Sequence, residues 1–191
     1  MSTKLQLGGL VLFLLILLGP VTHLNNGQHP LHSAIEVDEP GPLTKEQQAL
    51  VDHLSQKYAQ SSALTERVVR AAYKEGEERS LSPLLILAIV EKESSFRHEV
   101  VNSYGAMGLM QVVPRYHRDK LAASEGKDQL LHPETNIKVG SQILAEYMDA
   151  KKGNLQAALK KYSGNARQYF QRVAAYRERL RDVARHADDK A

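Results

Sequence analysis

The chain has 191 residues, 42% hydrophobic and 25% charged, with 25 Lys and Arg against 22 Asp and Glu for a net charge of +3. That length allows one ordinary domain plus terminal segments. The composition argues against wholesale disorder, and the charge is too small to mark a nucleic-acid binder. With no Cys, disulfides, thiolate metal sites, a Cys nucleophile and a lipidated Cys are excluded; with no Trp, a sugar platform would draw on 8 Tyr and 3 Phe.

Lys4 precedes the apolar run from Leu7 to Gly19. A positive start followed by such a run predicts a signal peptide or signal anchor over residues 1–21. Residues 5–24 approach the roughly 20 residues that span a bilayer. Gly19-Pro20-Val21-Thr22 is a poor cleavage site. We therefore read an uncleaved anchor, with secretion after cleavage as the alternative. No Lys or Arg occurs between Lys4 and Lys45, and Glu36, Asp38 and Glu39 follow the run. The positive-inside rule then exports the remainder of the chain.

Residues 22–43 carry Asn25-Asn26-Gly27, His29-Pro30 and Glu39-Pro40-Gly41-Pro42, the composition of a linker. Thr44-Lys45-Glu46-Gln47 fits a capping box, and Leu50, Val51, Leu54 and Tyr58 follow at helical spacing. Ser62 is placed as the cap of a second helix with Leu64, Val68, Val69, Ala72 and Tyr73 on one face. Ser82-Pro83 opens a third, since Pro is tolerated in the first turn. Further helices are predicted over residues 134–148, 154–162 and 166–180, with a charged tail over 183–191. The fold class is mainly α, and no strand-type alternation stands out. The eight His are scattered without ligand spacing, so no metal or cofactor is expected.

The third helix carries the candidate chemistry. Leu84-Leu85-Ile86-Leu87-Ala88-Ile89-Val90 is apolar all round, so it should be buried on every side. Glu93 extends the face of Ile86, Ile89 and Val90. Partial desolvation there would raise its pKa and suit it to general acid work. Glu91 follows Leu84, Leu87 and Ala88, so spacing alone does not choose between the two acids. Downstream, Gly105, Ala106 and Gly108 would let backbone approach a ligand closely.

Two ordered segments carry a resemblance: Ala88-Ile89-Val90-Glu91-Lys92-Glu93-Ser94-Ser95-Phe96, and Ser103-x-Gly105-Ala106-x-Gly108-Leu109-Met110-Gln111. Together they closely resemble the lytic transglycosylase domain of the soluble type. Pro133-x-x-Asn136-Ile137-x-x-Gly140 is similar to that family's helix start, and Lys161-Tyr162-Ser163 to its A-Y-N motif, with Ser163 where the family has Asn. The resemblance covers roughly residues 64–180. It implies a lysozyme-like catalytic domain, placed over residues 44–182, and the charge pattern around the N-terminal run puts that domain in the periplasm. The implied reaction cleaves the β-1,4 bond between N-acetylmuramic acid and N-acetylglucosamine and leaves a 1,6-anhydro sugar. Glu93 matches the single catalytic acid/base. Ser94 and Ser103 would orient groups at the cleft, Gly108 and Met110 would belong to one wall, Gln111 would bond near the acetamido group, and Tyr162 would bond towards Glu93. Tyr104, Tyr116, Tyr169 and Phe170 are further aromatics that could stack on sugar, with packing roles as their alternative. The expected partners are peptidoglycan strands, the membrane through the N-terminal segment, and envelope-spanning machinery. The competing functions are a goose-type lysozyme, which uses water, and a wall-binding module without turnover.

Overall fold

The computed structural model describes residues 41–121 and 126–188. The predicted anchor and nearly all of the linker lie outside them. The chain divides into units Met1–Pro40 and Gly41–Ala191, and every described element belongs to the second. Among the described residues there are seven α-helices: α1 (Lys45–Tyr58), α2 (Ser62–Arg79), α3 (Pro83–Ser94), α4 (Arg118–Leu121), α5 (Pro133–Ala150), α6 (Leu155–Tyr162) and α7 (Tyr169–Asp188). Extended pairing is limited there to two isolated bridges, Val101 to Met107 and Met107 to Val112.

Local chemistry explains where these helices start. Thr44 Oγ1 accepts from the Gln47 amide at 3.1 Å, and Gln47 Oε1 accepts from the Thr44 amide at 3.0 Å, closing the predicted capping box. At α2 the cap is Ser61 rather than Ser62, its hydroxyl accepting from the Leu64 amide at 3.2 Å. Pro83 opens α3, as expected. The final helix does not stop at Leu180 but runs on to Asp188. Leu180 and Ala184 are both buried, so its apolar stripe continues past the charged stretch.

Burial gives the arrangement. From Leu85 to Val90 every residue of α3 is buried, and α3 lies against α2 and α7. Fully burying a Leu or Ile side chain stabilises by about 1.5–3 kcal/mol, so this helix is the core's main apolar element. The α1 helix packs on α2 and α7 through Leu50, Val51 and Leu54, and α5 packs on α2 and α6. Beyond α3, Ser95 and Phe96 both adopt left-handed backbone, with φ of 51° and 62°. That reversal sends Phe96 back into the core, where it stacks on Tyr58 with ring centroids 5.2 Å apart. The chain then forms the long irregular segment that carries the glycines.

That segment is fastened to one face of α5. Asn136 and Gly140 are four residues apart, so they lie one above the other on the helix. Asn136 Oδ1 accepts from the Met110 amide at 2.7 Å, while its Nδ2 donates to the carbonyls of Met107 at 2.8 Å and Leu130 at 2.7 Å. One turn further on, a Cβ at Gly140 would come within 2.5 Å of Met110 Sδ, so only Gly makes room for that side chain.

Candidate active site

The last turn of α3 separates the two acids that spacing could not. Residues two apart on a helix point about 200° apart. Glu91 is buried and faces α1, where Lys57 Nζ lies 3.0 Å from its Oε1. Glu93 faces a cleft of about 400 Å³ lined also by Gln111, Val112, Ile143, Tyr147, Tyr162 and Tyr169. Tyr169, the first residue of α7, donates its phenolic hydrogen to Glu93 Oε1 at 2.5 Å. Burial raises the Glu93 carboxyl above its usual range, against the opposing effects of the Tyr169 hydrogen bond and the neighbouring Lys92. Burial likewise pushes the Tyr169 and Tyr162 phenols up, so both stay protonated donors. Glu93 is the only carboxylate among the described residues that line the cleft.

The other predicted residues divide into cleft walls and the framework behind them. Gln111 lines the cleft, but its amide is already engaged. Its Nε2 donates to the carbonyls of Gly108 at 2.9 Å and Val100 at 3.2 Å, and its Oε1 accepts from Asn102 Nδ2 at 3.1 Å. Tyr162 also lines the cleft, yet its hydroxyl donates to the Met110 carbonyl at 2.9 Å and not to Glu93. A phenol has one hydrogen to give; Tyr162 spends it on the loop, and Tyr169 supplies the bond to the acid. Ser94 is buried and its hydroxyl donates to the Val90 carbonyl one turn back, at 3.1 Å. Ser103 sits in an exposed turn between the lining residues Asn102 and Tyr104 and does not itself line the cleft.

Gly108 and Met110 are framework too. At φ +71°, Gly108 is in the left-handed region, and a Cβ there would lie 2.2 Å from both Asn136 Nδ2 and the Leu130 carbonyl. The close approach that requires glycine is therefore to α5 and its preceding turn, not to a ligand in the cleft. Met110 is fully buried against Gly140, with Ser141 Oγ 4.0 Å from its sulfur. Of the other aromatics considered, Tyr169 is buried at the acid, Phe170 packs on the core, and Tyr104 and Tyr116 form an exposed ledge on the cleft.

Sequence reasoning does not find the roles of two residues that matter at this site. Asn136 stands out in the sequence only as part of a motif; a polar residue beside Ile137 on the buried side of an amphipathic helix is the available signal. Tyr169 follows Tyr162 by seven residues, and nothing in that spacing says which phenol reaches Glu93. Among the described residues no group of three His, Asp or Glu could hold a metal ion.

A helical domain with one half-buried acid in its cleft belongs to a known class. The Transglycosylase SLT domain family model matches residues 68–182, and the chain belongs to that family. It is 35% identical over 89 residues to a transglycosylase of Enterobacteria phage PRD1, covering 47% of this chain and 31% of the relative. To the soluble lytic murein transglycosylase of Salmonella typhimurium it is 34% identical over 110 residues, covering 55% and 16%. To membrane-bound lytic murein transglycosylase C of Edwardsiella ictaluri it is 34% identical over 112 residues, covering 52% and 30%. These matches thus span less than a third of each relative. Among solved structures, an inactive mutant of lytic transglycosylase Slt from Pseudomonas aeruginosa aligns with a TM-score of 0.49 and 21% identity, covering 63% of this chain and 24% of that one.

Proposed function

We propose that this chain is a peptidoglycan lytic transglycosylase in which Glu93 acts first as acid and then as base. The observation that carries the reading is a single desolvated carboxyl in a cleft whose other described walls hold no second carboxylate. Glycosidases that displace with water or form a glycosyl-enzyme ordinarily need two. With one acid, the substrate must provide the other group.

Glu93 Oε1 is occupied by Tyr169, which leaves Oε2 to carry the proton. Protonation of the glycosidic oxygen breaks the C1–O bond, and the N-acetylglucosamine side leaves as the alcohol. The 2-acetamido oxygen of muramic acid stabilises the cationic carbon by bonding to it. Glu93, now a carboxylate, takes the proton of the muramic C6 hydroxyl as that oxygen attacks C1 and displaces the acetamido oxygen. The product is a 1,6-anhydro ring, no water is consumed, and Glu93 is returned protonated.

We further infer that residues 5–24 anchor the chain in the inner membrane with the domain in the periplasm. The charge asymmetry around the apolar run supports this. Among the described residues no helix is long and apolar enough to cross a membrane, and the run lies outside them. A tethered cutter opens the wall locally, which would serve an envelope-spanning machine. A reporter fusion after Pro42 that is active only in the cytoplasm would overturn the topology.

The test of the reaction is the mass of muropeptides released from purified sacculi. Products lighter by one water than the hydrolysed muropeptides are expected. Hydrolysed ends alone would establish a goose-type lysozyme, and binding without release a non-catalytic module.

A further inference from the structure

At one rim of the cleft, Arg115 is held by aromatic rings. Its guanidinium carbon lies 4.0 Å from the Tyr104 ring centroid and 4.9 Å from that of Tyr116. Its Nη1 donates to the Tyr104 carbonyl at 2.8 Å. The two phenol oxygens are 2.6 Å apart, which fixes the rings against each other. The assembly is also tied to the cleft wall. The Tyr104 amide donates to Asn102 Oδ1 at 2.9 Å, and Asn102 Nδ2 in turn donates to Gln111 at 3.1 Å.

Tyr104 and Tyr116 line the cleft that contains Glu93, yet remain 56% and 60% exposed. Among the described residues no carboxylate lies within ion-pair distance of Arg115; its guanidinium is bonded to the Tyr116 and Tyr104 side chains and to the Tyr104 carbonyl, which leaves part of its five N–H donors for a ligand. The other fixed cations of the cleft behave alike. Lys161 Nζ sits 4.3 Å from the Tyr147 ring centroid and Lys92 Nζ 5.4 Å from that of Tyr169. Apart from Glu93, the cleft and this rim therefore present positive charge to whatever enters. A sugar hydroxyl can accept from a guanidinium only through a neutral acceptor, whereas a carboxylate pairs with it in two parallel, charge-assisted hydrogen bonds, roughly twice as strong.

We propose that Tyr104, Arg115 and Tyr116 form a rim subsite for a carboxylate of the peptide stem carried by the glycan strand. The inference rests on the reading of this cleft as a peptidoglycan site. The strand lies along the cleft with its scissile bond at Glu93, and the stem, which leaves the sugar through the lactyl group, reaches the rim. The rings hold the guanidinium in place before the ligand arrives, so little side-chain freedom remains to be lost on binding. The subsite thus favours stem-bearing strands over an uncharged oligomer of N-acetylglucosamine.

The test measures binding in a Glu93→Gln background, so that nothing is cut. Co-sedimentation with stem-bearing sacculi, whose lactyl carboxyls are held as amides, is compared with binding to a soluble oligomer of β-1,4-linked N-acetylglucosamine, which carries no carboxylate, and the ratio of the two affinities is read. Arg115→Gln is expected to reduce that ratio about tenfold, the scale of one charge-assisted pair. Raising salt should erode the parent's ratio and leave that of Arg115→Gln nearly flat. Arg115→Lys keeps the charge without the fork, and its ratio should fall between the two. Since Arg115 also ties Tyr104, circular dichroism and the unfolding midpoint verify that each variant is folded. An unchanged ratio in Arg115→Gln, or equal weakening on both materials, overturns the subsite. A parent enzyme that binds sacculi but releases no anhydro-muropeptides refutes the reaction instead and leaves the binding ratio readable.

Discussion

Asn136 is the residue on which the cleft wall depends most, and its substitution tests the architecture directly. Replacing it with Ala removes the acceptor for the Met110 amide and the donor to the Leu130 and Met107 carbonyls. The Met107 carbonyl keeps a second bond, from the Val112 amide at 3.1 Å, so its loss is partial. A buried group deprived of its partner costs about 1–3 kcal/mol, which places Asn136→Ala at roughly 2–5 kcal/mol. That is a large share of the ~5–15 kcal/mol by which domains of this kind are stable. Asn136→Asp discriminates the hydrogen-bonding role from simple packing. Asp has nearly the shape of Asn and keeps the acceptor for Met110, but sets a second oxygen against two carbonyls that now sit 2.7 and 2.8 Å from the amide nitrogen. At neutral pH it should therefore destabilise at least as much as Ala, and it should regain stability as acid protonates the new carboxyl. Urea unfolding midpoints, at constant slope, measure both. If Asp is clearly milder than Ala at neutral pH, the bonds to Leu130 and Met107 are not what holds the loop.

Glu93→Gln should cost about 10²–10⁴-fold in release of anhydro-muropeptides, while Glu91→Gln, whose carboxyl faces Lys57 and not the cleft, should release them at a near-parental rate. Tyr169→Phe removes the bond that holds the Glu93 carboxyl down. The alkaline limb of its pH–rate profile should move upward and its rate fall about tenfold. Gly108→Ala combines left-handed backbone with overlap against Asn136, so thermal unfolding should show a loss of about 2 kcal/mol or more, with residual activity tracking the folded fraction. The folded Glu93 pKa lies above its unfolded value, so its contribution is present below the unfolded pKa and lost as pH rises through the folded one. Glu93→Gln should accordingly match the parent in Tm below the ordinary carboxylate range and exceed it above the raised pKa; equal Tm values at both ends would refute the desolvation argument.

What sequence conveyed here is what short-range chemistry dictates. The Thr44 box, Pro83 at a helix start and the all-round apolar α3 involve neighbours within a turn or two, and each is found at its expected place. The choice between Glu91 and Glu93 was not legible, because a helix apolar on every side gives no direction. The answer depends on Lys57 of α1 and Tyr169 of α7, which are brought in by tertiary packing. Gly108 looked special for the right reason, small size, but the surface it must clear belongs to Asn136, distant in sequence. The direction of the Tyr162 hydroxyl was unreadable for the same reason, since Met110 and Glu93 compete for it only after folding.

The position of Glu93 also bears on how one carboxyl would serve in both directions of the proposed reaction. It lies in the last turn of α3, where unpaired carbonyls give the helix end a partial negative charge that disfavours a carboxylate. Burial against the cleft walls acts in the same sense. A single strong donor, Tyr169, acts in the opposite sense on one oxygen only. Burial thus shifts the carboxyl towards its protonated form, while the ionised form keeps a partner in Tyr169. A second carboxylate in the wall would raise the cost of that ionised form by like-charge repulsion. Lys92 lowers it, and lies over Tyr169 rather than against the acid as a closed ion pair. The arrangement gives each protonation state a stabilising influence, which the proposed reaction, giving and then reclaiming one proton, would require.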